Sequence, residues 1–138
     1  MDDAEWRAFV SEGTRTGKLA TTRHDGRPHV VPIWFVLDGD DVLFTTHEES
    51  AKGKAFTDGA RLSLLVDDQA PPFSYVKVDG TVRLSRDLDE LVEVATRIGG
   101  RYMGEDRAEE FGRRNGVPGE ILVRLEPTKL TALAAISD

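Results

Sequence analysis

Within the segment Thr45-Thr46-His47-Glu48-Glu49-Ser50-Ala51-Lys52-Gly53-Lys54, three hydroxyls and two ammonium groups lie close together. Ammonium groups only donate hydrogen bonds and hydroxyls both donate and accept, so the set suits an oxyanion rich in lone pairs. The segment continues a strand-like run through Phe44 and predicts a strand that enters a short helix, whose leading N–H groups would point at the same anion. A phosphate is the natural occupant. In a chain of net charge -7, two lysines in three positions are not part of a general basic surface.

Little else in the chain carries chemistry alone. Cysteine is absent, which removes disulfides, thiolate nucleophiles and sulfur-bound zinc. No serine stands in a Gly-x-Ser-x-Gly elbow. His24, His29 and His47 lack the i, i+4 helical spacing of a zinc pair, so they read as solvated or locally hydrogen-bonded, and no metal is expected. Gly99-Gly100 with Gly104 follows a helical pattern, not a strand, and so marks a helix terminus instead of a dinucleotide loop. Any hard chemistry would therefore belong to a bound cofactor. The acidic balance argues against a nucleic-acid partner. The longest apolar run, 30–37, is broken by Pro32 and too short to span a bilayer, and the acidic N-terminus is unlike a secretory signal. A cytoplasmic protein without a membrane segment is expected.

These residues need a frame, and turn signals supply it. Asp-Gly pairs occur at 25–26, 38–39, 58–59 and 79–80, and three of them sit between apolar runs as hairpin or tight-turn connections do. Between 74 and 85, Val76, Val78, Val82 and Leu84 alternate with Tyr75, Lys77, Thr81 and Arg83, with a possible slip at Gly80. Further strands are predicted over 18–23, 29–37, 41–46, 61–66 and 120–125. Six strands with short links predict an antiparallel sheet closed into a small barrel, which hides its edges. Asp87-Leu88-Asp89-Glu90 is a capping box, followed by Leu91, Val92, Ala95, Ile98 and Tyr102 at helical spacing. Shorter helices are predicted near Asp2 or Asp3, burying Trp6, Phe9 and Val10, and over 107–114 with Ala108 and Phe111 inward. At 138 residues and 39% hydrophobic content the chain reads as one domain over 1–138. Trp34 and Phe35 fall on opposite faces of a strand, so one of them can approach a ligand. Phe73 and Tyr75 share a face that lines a substrate pocket or covers the core edge.

The motifs Gly17-Lys18-Leu19-Ala20-Thr21-Thr22, His24-Asp25-Gly26-Arg27-Pro28, Val31-Pro32-Ile33-Trp34-Phe35, Ser50-Ala51-Lys52 and Ser74-Tyr75-Val76-Lys77-Val78-Asp79-Gly80 occur in this order. In that order the chain resembles the pyridoxamine 5'-phosphate oxidase-like split barrels, specifically the branch of deazaflavin (F420)-dependent oxidoreductases. The resemblance implies a mainly β, six-stranded antiparallel split β-barrel with flanking helices. It further implies that Thr46, Ser50 and Lys52 hold a cofactor phosphate, that Val31, Pro32, Ile33 and Trp34 lie along the ring system, and that Thr22 sits near it. Ala51 stands where flavin mononucleotide (FMN) enzymes of the family commonly carry arginine, which favours F420 over FMN, and Lys54 would compensate for the less basic corner. The implied activity is hydride transfer between F420 and a small electron-poor organic substrate, in a homodimer with cofactor sites at the interface. An FMN oxidoreductase and a non-catalytic F420 or haem binder are the alternatives.

Overall fold

The computed structural model describes residues 1–54 and 56–138. Helix α1 (Asp3–Ser11) leads into strands β1 (Gly17–Thr22), β2 (Pro28–Ile33), β3 (Val36–Asp38) and β4 (Asp41–His47). Helix α2 (Glu48–Gly53), β5 (Arg61–Asp67) and β6 (Tyr75–Ser85) follow. Helices α3 (Leu88–Met103) and α4 (Ala108–Asn115), joined through one 3-10 turn, precede the final strand β7 (Glu120–Leu133).

All seven strands form one sheet in the order β2-β1-β5-β6-β7-β4-β3, every pairing antiparallel. Its two end strands, β2 and β3, are consecutive in the chain and separated only by Trp34-Phe35. So short a link forces the sheet to curl until its ends approach, and the result is a split barrel. Among the described residues the strands number seven, not six, because the run over 29–37 divides. Phe35 turns fully into the interior and gives its N–H to the Tyr102 hydroxyl, 3.3 Å away, instead of to a strand neighbour.

Alternation along the strands fills the barrel with Leu19, Phe44, Leu64, Val66, Val76, Val78, Val123 and Leu125. Fully burying one such side chain contributes about 1.5–3 kcal/mol. A second cluster, on the outer face of β3, β4 and β7, joins Val36, Leu43 and Leu122 to Leu91, Val94 and Ile98 of α3. The stripe α3 buries is Leu91, Val94, Ala95 and Ile98, while Leu88 and Val92 stay 45% and 40% exposed. Val94 lies three residues past Leu91 and beside Ala95, so it holds the centre of the stripe that Leu88 and Val92 only flank. Gly104 ends α3, as the sequence suggests, but Gly99 and Gly100 are helix interior. A Cβ on Gly99 would stand 2.5 Å from the Phe111 Cβ, so the glycine lets α4 pack closely. Helix α1 starts on a capping box of Asp2 and Glu5 and buries Trp6 and Val10, with Phe9 only partly covered.

The fourth Asp-Gly pair lies within a strand, and the slip expected at Gly80 is present. Gly80 lies within β6 at a register shift, where a Cβ would collide with the Glu126 carbonyl and where Pro127 stands opposite. A proline has no N–H to give the ladder, so it is tolerated at such an irregularity, and β7 runs on to Leu133 well past its expected end.

Candidate cofactor site

Strand β4 runs one residue further than its sequence suggests and hands the helix-capping role to His47. The imidazole Nδ1 accepts from the Glu49 N–H at 3.2 Å, and the Glu48 N–H donates to the Gly119 carbonyl at 2.9 Å. Two of the leading N–H groups of α2 are thus spoken for. Its first turn carries Glu48 and Glu49, and Glu48 binds Arg86 at 2.6 Å. The start of α2 therefore offers a weakened positive field to an anion. Ser50 and Lys52 are exposed on the helix, Thr46 is half-buried on β4, and the Ala51 side chain is in the core at 2% exposure. Contact between Ala51 and a ligand would run through backbone atoms.

Positive charge converges one hairpin away. The turn between β1 and β2 closes with Arg23 N–H to Arg27 O at 2.9 Å and Gly26 N–H to Arg23 O at 2.9 Å, with Gly26 at φ 87. That geometry carries Arg23 back over β2, where its Nη2 lies 2.7 Å from His29 Nδ1. A guanidinium can only donate, so Nδ1 accepts, the imidazole is neutral and its remaining proton sits on Nε2. Partial burial, then the charges of Arg23 and Lys54, hold His29 below the usual histidine range. Burial, then Arg23, lowers Lys54 in the same way. Among the described residues, no carboxylate lies within ion-pair distance of Arg23, His29 or Lys54. Two cationic groups beside a neutral imidazole donor, without a counter-ion among the described residues, form a place that an oxyanion would stabilise.

One pH dependence follows. Because His29 is held neutral, the folded chain binds fewer protons than the unfolded one, and stability present above about pH 6.5 is lost as pH falls through the folded-state value. Added inorganic phosphate, which favours the protonated ring, should reduce that loss. Thermal melts between pH 7.5 and 5.5 with and without phosphate check this, and His29→Gln should abolish the phosphate effect on the slope.

Beside the corner runs β2, an edge strand that among the described residues pairs only with β1. Its outer backbone groups, apart from the missing N–H of Pro28 and Pro32, have no strand partner, and a planar ring with donors and acceptors along one side could pair with them. Val31, Pro32 and Ile33 lie on this strand and Trp34 just beyond it. The Trp34 indole stacks on Tyr102 at 5.1 Å with 6° between planes and meets the edge of Phe111 at 6.2 Å. The Tyr102 hydroxyl donates to the Arg15 carbonyl at 2.7 Å, so α3 fixes the ring that fixes Trp34. Thr22, at the end of β1, lines a separate hollow of 590 Å³ with Pro28, Arg61, Ser63 and Asp79. Phe73 and Tyr75 share a 330 Å³ depression with Leu65 and Ile136. It has no lining residue in common with the cavity at Trp34.

A family model described as pyridoxamine 5'-phosphate oxidase matches residues 2–134. The chain belongs to that family. Solved structures agree on the fold. The conserved hypothetical protein Rv2991 from Mycobacterium tuberculosis shares 24% identity at a TM-score of 0.79, over 96% of this chain and 84% of that one. A protein titled F420 reductase shares 24% identity at 0.65, over 90% and 94%. HutZ, a haem storage protein from Vibrio cholerae, shares 21% at 0.69, over 94% and 92%. At these identities the likeness is one of fold. No curated protein matches the sequence.

Within this family member, the hairpin turn assembles the basic corner from residues that sequence reasoning passed over. Arg23 opens the turn directly after β1 and His29 lies on β2 opposite Thr21, so a register drawn for that hairpin would have brought them near each other. Of the two lysines in the original segment, Lys54 is the one whose charge acts on His29, and Lys52 is exposed on α2, its charge acting on Glu48.

Proposed function

We propose that this chain is an oxidoreductase of the family that binds F420. Its phosphate would be held by the Arg23 guanidinium, the His29 Nε2–H and the Lys54 ammonium, with Thr46 and Ser50 nearby and the ring along Val31 to Trp34. The observation that carries this reading is the uncompensated cationic corner abutting an unpaired strand edge. When bound, a deazaflavin supplies two-electron hydride chemistry toward a small electron-poor organic substrate. The chain's own residues would anchor the phosphate, pair with the ring's polar edge and keep Trp34 fixed against Tyr102. Reading F420 over FMN rests on Ala51, whose core position leaves no arginine at α2 for a flavin phosphate.

The experiment is oxidation of reduced F420 followed by its visible absorbance, with a panel of quinones, enones and nitroaromatics. Turnover with any of them supports the enzyme. Tight binding with none turned over supports a carrier. A haem-binding reading draws on the likeness to HutZ, but His29 is engaged by Arg23 and His47 by α2, which leaves His24 as the one histidine without a side-chain bond among the described residues.

The functional unit we propose is a homodimer, the partner closing over the cofactor. Phe73 and Ile136, 44% and 50% exposed, share one depression that a second copy could cover, and two-fold pairing is the commonest assembly of soluble chains. Light scattering at low micromolar concentration should give twice the chain mass, and a monomer binding cofactor at full affinity would contradict the shared site.

A further inference from the structure

A cavity of 320 Å³ opens outside the barrel, bounded by Pro32, Trp34, Thr45, Ile98, Asn115 and Glu120. That is the small end of the range for ligand pockets. It exists because α3 covers Leu43 and Leu122 on the outer face of β4 and β7, and the next outward residues along those strands are Thr45 and Glu120. Its apolar lining is Pro32, Ile98 and the Trp34 indole clamped on Tyr102. Its polar lining includes an anomaly. Glu120 Oε2 is buried and has no hydrogen-bond partner among the described residues. Buried acceptors are almost always matched, and an unmatched one favours whatever brings it a donor. Burial holds the Glu120 carboxyl above the usual glutamate range, opposed by His47 across the β4–β7 ladder. From α3 and the end of α4 the neighbours are Ile98 and Asn115, both uncharged.

We infer that this cavity binds a small planar molecule that gives an N–H donor to the Glu120 carboxyl and lays its ring against Trp34, and that it is the substrate subsite of the proposed oxidoreductase. Only the word substrate rests on that functional reading; binding itself does not. Asn115 and Thr45 supply further polar contacts at the rim, so the ligand is a ring bearing a nitrogen donor rather than a plain hydrocarbon.

The test is a ¹H–¹⁵N NMR titration of the full chain with indole and with benzofuran, which differ by N–H against ring oxygen. Indole should shift the Trp34 Nε1–H and Asn115 side-chain signals and bind about tenfold more tightly than benzofuran. Glu120→Ala should bring that ratio close to one. Should Glu120→Ala fail to fold, the isosteric Glu120→Gln carries the same comparison, and the ratio should fall severalfold. Equal affinities in the native chain, a preference that survives both substitutions, or shifts that avoid Trp34 and Asn115 overturn the subsite. Deazaflavin binding is read separately by absorbance. Indole selectivity without deazaflavin binding keeps the subsite and sinks the functional reading, and the converse sinks the subsite alone.

Discussion

Lys54→Ala is expected to weaken deazaflavin binding about ten- to a hundredfold, the loss of a charge-assisted phosphate contact of roughly 1.5–3 kcal/mol. Lys52→Ala should change it by less than about threefold, because an exposed ammonium held in high dielectric contributes little. Arg23→Ala should match Lys54→Ala and in addition return the His29 ring toward its ordinary titration range, since the first charge beside it disappears. Isothermal titration with each variant reads the affinities, and NMR of the His29 ring reads its titration. A large effect at Lys52 with none at Lys54 would put the phosphate on the exposed face of α2 instead of at the hairpin.

Arg101→Ala is expected to destabilise the fold by about 3 kcal/mol, seen as a fall in melting temperature on the order of 10 °C. Among the described residues, no carboxylate forms an ion pair with this guanidinium. It donates to four carbonyls instead: Nε to Gly13 at 3.0 Å, Nη1 to Phe35 at 2.7 Å, and Nη2 to Val10 at 2.6 Å and Arg15 at 3.3 Å. Its Cζ also lies 4.6 Å from the Phe35 ring centroid and 4.8 Å from that of Tyr102. One side chain thus ties the end of α1, the loop before β1 and the link between β2 and β3 to α3. Removing it strands several carbonyls at once. Arg101→Lys should recover little, because a compact ammonium cannot reach the four acceptors as a fork does. Trp34 emission should also shift in Arg101→Ala, since the Trp34–Tyr102 stack loses its anchor. A melting point within about 2 °C of the native protein would mean that the loops hold without the clamp.

Much of this frame is legible in the sequence. Three Asp-Gly pairs sit at turns with positive-φ glycines, Gly26, Gly39 and Gly59, and the valine alternation of β6 is the burial pattern observed. Asp87 caps α3 as the sequence suggests, accepting from the Glu90 N–H at 3.1 Å, but Ser85 stands in for the reciprocal bond of the box: its Oγ accepts from the Asp87 N–H at 3.2 Å and its hydroxyl donates to the Glu90 carboxylate at 2.6 Å. What the sequence hides are features set by distant partners. The division of 29–37 has no local signal, because Ile33, Trp34 and Phe35 are uniformly apolar; the break is made by Arg101 and Tyr102, far along the chain. The extension of β7 past Pro127 depends on Gly80 opposite, a pairing that neither segment announces. The candidate site divides the same way. Lys54 is visible as part of a charged segment, whereas Arg23 and His29 join it only through the hairpin register. The capping role of His47 and the unmatched carboxyl oxygen of Glu120 come from the pairing of β4 with β7 and from α3 and α4 lying over it.

The central claim, that this family member binds F420 on the Arg23, His29 and Lys54 corner, is tested most directly by one titration series. Intrinsic tryptophan fluorescence is followed as the purified chain receives F420, FMN or haem. The account predicts saturation with F420 at least about tenfold tighter than with FMN, relieved by millimolar inorganic phosphate competing for the same corner. Equal or reversed affinities, or haem binding that excludes both and ignores phosphate, would contradict it.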